Sequence, residues 1–184
     1  MIFTKTPLAG SYVIDLEPVT DSRGWFARTW CKEEFENIGH NKEWVQLNHS
    51  FTTKKGALRG MHYQLPPFSE IKMVRCIAGA VYDVIIDLRS GSDSFLQWFG
   101  TELSAKNKKM MYIPAGFAHG FQTLTEDCEL LYHHSELYTP GSESGILYND
   151  AMVGIDWPLL PTELSVRDQK HQPLTAGFKG IKTA

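Results

Sequence analysis

Ile113-Pro114-Ala115-Gly116-Phe117-Ala118-His119-Gly120-Phe121 sets a proline and a glycine between two apolar runs, the composition of a turn joining β-strands. Its upstream counterpart is Leu58-Arg59-Gly60-Met61-His62-Tyr63-Gln64. Each stretch carries one histidine among glycine and aromatic residues, in a chain with 7 histidines. Outward from them, β-type segments recur at Ser11–Leu16, Trp25–Cys31, Trp44–Phe51, Ala57–Gln64, Ile71–Ile77, Val81–Leu88, Phe95–Leu103, Lys109–Ile113, Ala118–Leu124 and Glu129–His134. Turn residues separate them at Asp21-Ser22-Arg23-Gly24, Gly79, Ser90-Gly91-Ser92 and Pro140-Gly141. That rhythm predicts an all-β sandwich or barrel. Inside it, Lys32–Ile38 predicts one short helix, with Phe35 and Ile38 on a shared face and Gly39 as its stop, plugging one side of the sheets.

The 184 residues suit a single domain, 1–184, that buries a substantial core without disulfides or metals. After Pro158 the pattern loosens. Leu164-Ser165-Val166-Arg167-Asp168 reads as an ordered island before a loosely packed tail from about residue 170 to 184. No apolar run approaches the ~18 residues of a membrane span, and the first residues lack the features of a secretory signal, so a cytoplasmic protein is expected. Cys31, Cys76 and Cys128 are odd in number and widely spaced, which predicts packing roles. A net charge of −3 without a block of like charge argues against nucleic acid as a partner. An anionic ligand must then be held by local arginines and lysines.

Imidazole exchanges a proton near neutrality without special tuning, so proton transfer is the first chemistry to consider. Strict pleating puts Arg59 and His62 on opposite faces of a strand; they serve one pocket only if Gly60 introduces a bulge. Lys72 lies in the apolar run Ile71–Ile77. It either snorkels at a sheet edge or, facing inward, neutralises an oxyanion. Tyr132 and Tyr138 are space-filling phenols by default, yet a tyrosine is also a competent proton donor to a carbanion. His133 and His134 point to opposite faces and read as structural or surface residues. Asp168 is either a solvated carboxylate or the partner that fixes a histidine tautomer.

The pattern Pro114-x-Gly116-x-x-His119 resembles the second conserved box of the cupin barrels, where that histidine often binds a metal. The first cupin box normally offers two histidines one residue apart and then a glutamate. Here His62 is followed by Tyr63-Gln64, and Lys72 stands near the expected acid. An ammonium beside a divalent cation is electrostatically unfavourable. The expectation is a cupin barrel without metal that uses acid–base chemistry; a metal-dependent cupin enzyme is the alternative.

Further boxes appear in order: Arg23-Gly24-x-Phe26, Gln46-x-Asn48-His49-Ser50, Lys72-Met73-Val74-Arg75, Asp83–Arg89, Tyr148-Asn149-Asp150 and Gly154-Ile155-Asp156-Trp157-Pro158. With the two opening stretches, they closely resemble the dTDP-4-dehydrorhamnose 3,5-epimerase family over about residues 10 to 170. The resemblance implies a cupin-type jelly roll and cofactor-free epimerisation of a nucleotide-diphospho-4-keto-6-deoxyhexose at C3, C5 or both. It further implies His62 as base, Asp168 as its orienting carboxylate, Lys72 as enolate stabiliser and Tyr132 as acid on the opposite face. Arg23, Gln46, Asn48, Arg59, His119, Glu143 and Arg167 match ligand-contacting positions, and Tyr138 and Phe26 would offer ring faces. A homodimer is implied, with Arg23 reaching the partner's site. One position departs from the family pattern: Arg28 stands where the family has a glutamate that contributes to nucleotide binding, which opens CDP-, GDP- or UDP-linked sugars as alternatives. A non-catalytic sugar-nucleotide-binding barrel is the remaining alternative class.

Overall fold

A computed structural model describes residues 1–183. Two antiparallel sheets dominate it. In spatial order the first runs β1 (Ile2–Lys5), β2 (Tyr12–Asp15), β10 (Met110–Ile113), β7 (Lys72–Ala78), β12 (Cys128–His134) and β5 (Gln46–Thr52). The second runs β13 (Glu143–Gly145), β6 (Leu58–Gln64), β11 (Phe117–Thr123), β8 (Ala80–Asp87) and β9 (Trp98–Ser104). A separate hairpin joins β3 (Val19–Asp21) to β4 (Gly24–Phe26). The helices are α1 (Lys32–Glu36) and α2 (Val166–Gln169). This is the expected all-β, cupin-type jelly roll.

Side chains alternate across a strand, so a sheet covered on both faces reads as an unbroken apolar run. On β8, Val81 and Ile85 face the interior between the sheets with Val74, Leu103, Phe121 and Leu130. Val84 and Ile86 face the other way, under Ile146, Val153, Trp157, Leu174, Phe178 and Ile181. The expected loose tail is therefore corrected: Ile181 is buried and bridges Arg89, and Phe178 stacks on Phe95. An exposed apolar sheet face demanded that cover. On the first sheet's outer face, α1 inserts a fully buried Phe35 among Ile14, Met73, Met110 and Tyr112. Burying that ring contributes about 2–3 kcal/mol.

The strand expected at Trp25–Cys31 ends at Phe26. Trp25 and Phe26 pair only with β3, outside both main sheets, and Phe26 is 77% exposed. Cys76 and Cys128 are buried and unpaired, and Cys31 is half-buried and unpaired. Burial pushes the Cys76 thiol up to about 12, so it packs rather than reacts. Among the described residues, no helix is long and apolar enough to cross a membrane.

Gly60 sets the register that matters for the site. On β6 and β11, His62 pairs with His119 while Arg59 pairs with Phe121, three residues advancing against two. The expected bulge is present, and it turns Arg59 and His62 toward one cavity. Gly60 has φ +128°, and a Cβ there would meet Gly120 Cα at 2.5 Å and the His119 carbonyl at 2.9 Å. Only glycine fits that approach.

Candidate active site

Between the two sheets lies a cavity of about 650 Å³, within the range of small-molecule sites. The second sheet contributes His62 and His119, the first contributes Lys72 and Tyr132, and α2 contributes Asp168. The four residues expected to carry chemistry are thus brought together.

Asp168 is positioned by the start of α2, where its backbone N–H donates to the capping Ser165 Oγ at 3.0 Å. Its carboxylate then accepts from His62 Nε2 at 2.7 Å and from the Gly60 N–H at 3.3 Å. Burial opposes the charge, but the His62 and Gly60 bonds outweigh it and hold the carboxyl below the ordinary aspartate value. A carboxylate only accepts, so His62 carries its proton on Nε2. Nδ1 is left as the basic nitrogen.

Lys72 is buried and pairs with Glu70 Oε1 at 2.9 Å, with a longer bond to the His62 carbonyl at 3.4 Å. Lys72 therefore faces the cavity and does not snorkel at a sheet edge. Tyr132 donates to or accepts from Ser50 Oγ at 3.0 Å. Burial raises its phenol well above the ordinary tyrosine value, so it stays protonated across the physiological range. His119 is committed to Asp83 Oδ2 at 2.7 Å.

Arg59 lines the same cavity, tied to Thr52 Oγ1 and the Phe51 carbonyl but to no acid among the described residues. Those bonds use Nε and one Nη2 proton, and the remaining Nη1 and Nη2 protons can meet an anion. At the rim, Glu143 accepts from Arg167 at 2.9 Å and from the Tyr138 hydroxyl at 3.0 Å. Gln46 and Asn48 form the wall along β5. Three expected ligand contacts are not in this cavity. Arg23, Phe26 and Arg28 sit on or after the outlying β3–β4 hairpin, where Arg23 pairs with Asp21 and Arg28 with Glu34. The hairpin forms a two-stranded sheet of its own, and none of these three side chains lines the cavity.

His134 corrects the sequence reading as well. It lines the cavity, stacked beside Tyr132 and bonded through Nδ1 to Glu70 at 3.0 Å. Period-2 alternation puts it on the face of Tyr132, a signal that was available; Glu70 likewise shares the face of Lys72 two residues on. His171 was not singled out either. It lies beside the His62 ring, with Nε2 4.0 Å from Asp168 Oδ1. The donor atoms of His62, Asp168 and His171 fall within 4.8 Å of one another, the one such cluster among the described residues. In it His62 Nε2 is committed to Asp168, and His119 of the cupin-like box is not a member.

A family model described as dTDP-4-dehydrorhamnose 3,5-epimerase matches residues 5–176. The chain belongs to the dTDP-4-dehydrorhamnose 3,5-epimerase family. The epimerase of that name from Salmonella typhimurium is 44% identical over 91% of this chain and 92% of its own length. Among solved epimerases, that of Legionella pneumophila, in complex with dTDP-4-keto-L-rhamnose, superposes with TM-score 0.91 at 35% identity, covering 100% of this chain and 99% of its own. A 3'-monoepimerase from Streptomyces bikiniensis, in complex with dTDP-quinovose, aligns with TM-score 0.85 at 31% identity, covering 91% of this chain and 85% of its own. Membership in this epimerase family makes the chain an isomerase by kinship, and His62, Lys72, Tyr132 and Asp168 all line the one cavity.

Proposed function

We propose that this protein epimerises a dTDP-linked 4-keto-6-deoxyhexose at C3 and C5 without a cofactor. His62 Nδ1 removes the proton next to the C4 ketone. The Lys72 ammonium stabilises the enolate oxygen, and Tyr132 returns a proton to the opposite face. The proton on His62 leaves to solvent and Tyr132 recovers one from it. Asp168 stabilises the imidazolium while it exists. The single observation that carries this reading is that His62 and Tyr132 enter one cavity from opposing sheets. Inversion needs groups on both faces of the reacting carbon.

Arg59 suits the diphosphate, with Gln46, Asn48, His119, Glu143, Arg167 and Tyr138 around the sugar nucleotide. A homodimer acting in the cytoplasm completes the proposal. Support for the dimer comes from the exposed Val19, Trp25 and Phe26 of the hairpin and the exposed Leu47 and Phe51 of edge strand β5. In that assembly Arg23, Phe26 and Arg28 serve the neighbouring copy's site. Mixing R23A with H62N subunits then restores activity to about a quarter of wild type, because half the dimers are hybrids with one intact site. No recovery on mixing excludes a shared site.

The test of function is incubation with dTDP-4-keto-6-deoxyglucose and NMR of the product. Two inverted centres are expected. One inverted centre would favour a single-position epimerase, the reading that likeness to the 3'-monoepimerase supports. Faster turnover of a CDP-, GDP- or UDP-linked sugar would reassign the nucleotide. Stoichiometric iron, manganese or zinc in the active protein would overturn the metal-free mechanism.

A further inference from the structure

A line of polar side chains crosses the cavity floor from β7 to β5. Its first member, Glu70, is largely enclosed and accepts three bonds: Oε1 from Lys72 at 2.9 Å, and Oε2 from His134 Nδ1 at 3.0 Å and Gln64 Nε2 at 3.3 Å. Burial opposes its charge, yet the bonds from His134 and Lys72 prevail and hold it below the ordinary glutamate value. A carboxylate has no proton to give, so His134 must carry its hydrogen on Nδ1. Nε2 of the neutral ring is then an acceptor, and the Asn48 amide 3.3 Å away must present its NH2. Asn48 Oδ1 in turn accepts from Gln46 Nε2 at 3.2 Å, and Gln46 Oε1 accepts from the Tyr138 backbone N–H at 3.0 Å. Every bond in the line is set by the charge at its start.

We infer that Glu70 and His134 are positioning residues that lock Gln46 and Asn48 with their N–H groups facing the cavity, making these two amides a pair of donors on the β5 wall for the oxygen-rich part of the substrate. Both side-chain carbonyls are consumed within the line. One N–H on each amide, together with the third Lys72 proton, has no partner among the described residues. Such a pair favours phosphate and ketone oxygens over groups that can only donate. Reversal of the His134 ring tautomer would turn Asn48 over and put a carbonyl against those oxygens. The consequence for substrate rests on the epimerase reading; the polarity of the line does not.

Long-range 1H–15N correlation spectra of the ligand-free full chain labelled at histidine, near neutral pH, test the polarity, with His134 assigned by its loss in H134Q. The expected spectrum has His134 protonated on Nδ1 and bare on Nε2, and E70Q introduces the opposite tautomer. His134 protonated on Nε2 in the wild type overturns the inference. The kinetic arm uses the keto-sugar nucleotide. H134F, which cannot accept from Asn48, raises KM about tenfold with kcat within about threefold, since Glu70 still holds Lys72. H134Q, which both donates to Glu70 and accepts from Asn48, brings KM back to within about threefold of wild type. A KM unchanged in H134F, or as high in H134Q as in H134F, overturns the positioning role. If the wild type turns over no keto sugar, the functional reading fails while the spectra still decide the polarity.

Discussion

His62 Nε2 lies 2.7 Å from Asp168 Oδ1, although 106 residues separate them in the chain. The pair exists because a capped turn of helix presents the carboxylate to a bulged strand. In D168N the amide can donate to His62 Nε2 and leave the proton on Nδ1, the wrong nitrogen for a base. Steady-state kinetics are expected to show kcat reduced by about 10²–10⁴ with KM little changed. A kcat within threefold of wild type would remove Asp168 from the mechanism.

Tyr132 separates abstraction of a proton from its return. Y132F keeps the ring beside His119 and His134 and deletes only the hydroxyl on Ser50. The variant should fold normally and still exchange substrate hydrogen with solvent through His62, while inverted product falls by about 10² or more. Loss of exchange together with inversion would mean that the two residues do not act on separate faces.

Backbone crowding at Gly60 predicts a stability effect. G60A would press a methyl against the Gly120 backbone at a positive φ. Denaturant unfolding should show a loss of about 3 kcal/mol, and activity should fall as Arg59 and His62 lose their common orientation. Wild-type stability in G60A would show that the bulge tolerates a side chain.

Asp87 ties the end of β8 to the loop that follows it. Fully buried, it accepts from Arg89 at 2.9 and 2.7 Å and from Ser94 at 2.6 Å. Burial works against the charge, but these bonds more than compensate and depress its pKa. The stabilisation is therefore fully present above the ordinary carboxylate value of about 4 and is lost as pH falls through the lower folded value. Unfolding midpoints should place D87N about 3 kcal/mol below wild type near neutrality, with the gap closing in acid. A gap that widens as pH falls would reverse the sign of the linkage.

Much of the fold was legible because strand periodicity is a local property. The interior strands appear within a residue or two of where alternation puts them, and the Gly60 bulge followed from asking how Arg59 and His62 could share a pocket. The tail escapes a local reading because Leu174, Phe178 and Ile181 are scattered apolar residues whose value lies in the distant sheet face they cover, and Phe178 stacks on a Phe95 that is 83 residues away in sequence. β1, β3 and β13 are 3 or 4 residues long, too short for a periodic signal. At the site, His134 was discounted for facing away from His133, although the same alternation allies it with Tyr132. Asp83 with His119 and Glu70 with His134 are pairings between neighbouring strands, which no spacing along the chain reveals.

Solvent deuterium incorporation at C3 and C5 of a dTDP-4-keto-6-deoxyhexose, followed by proton NMR in heavy water, tests the central claim most directly. Wild type is predicted to label both carbons, and H62N, which keeps the fold but has no basic ring nitrogen, to label neither above the uncatalysed rate. Labelling by H62N at the wild-type rate would contradict the assignment of His62 as the base.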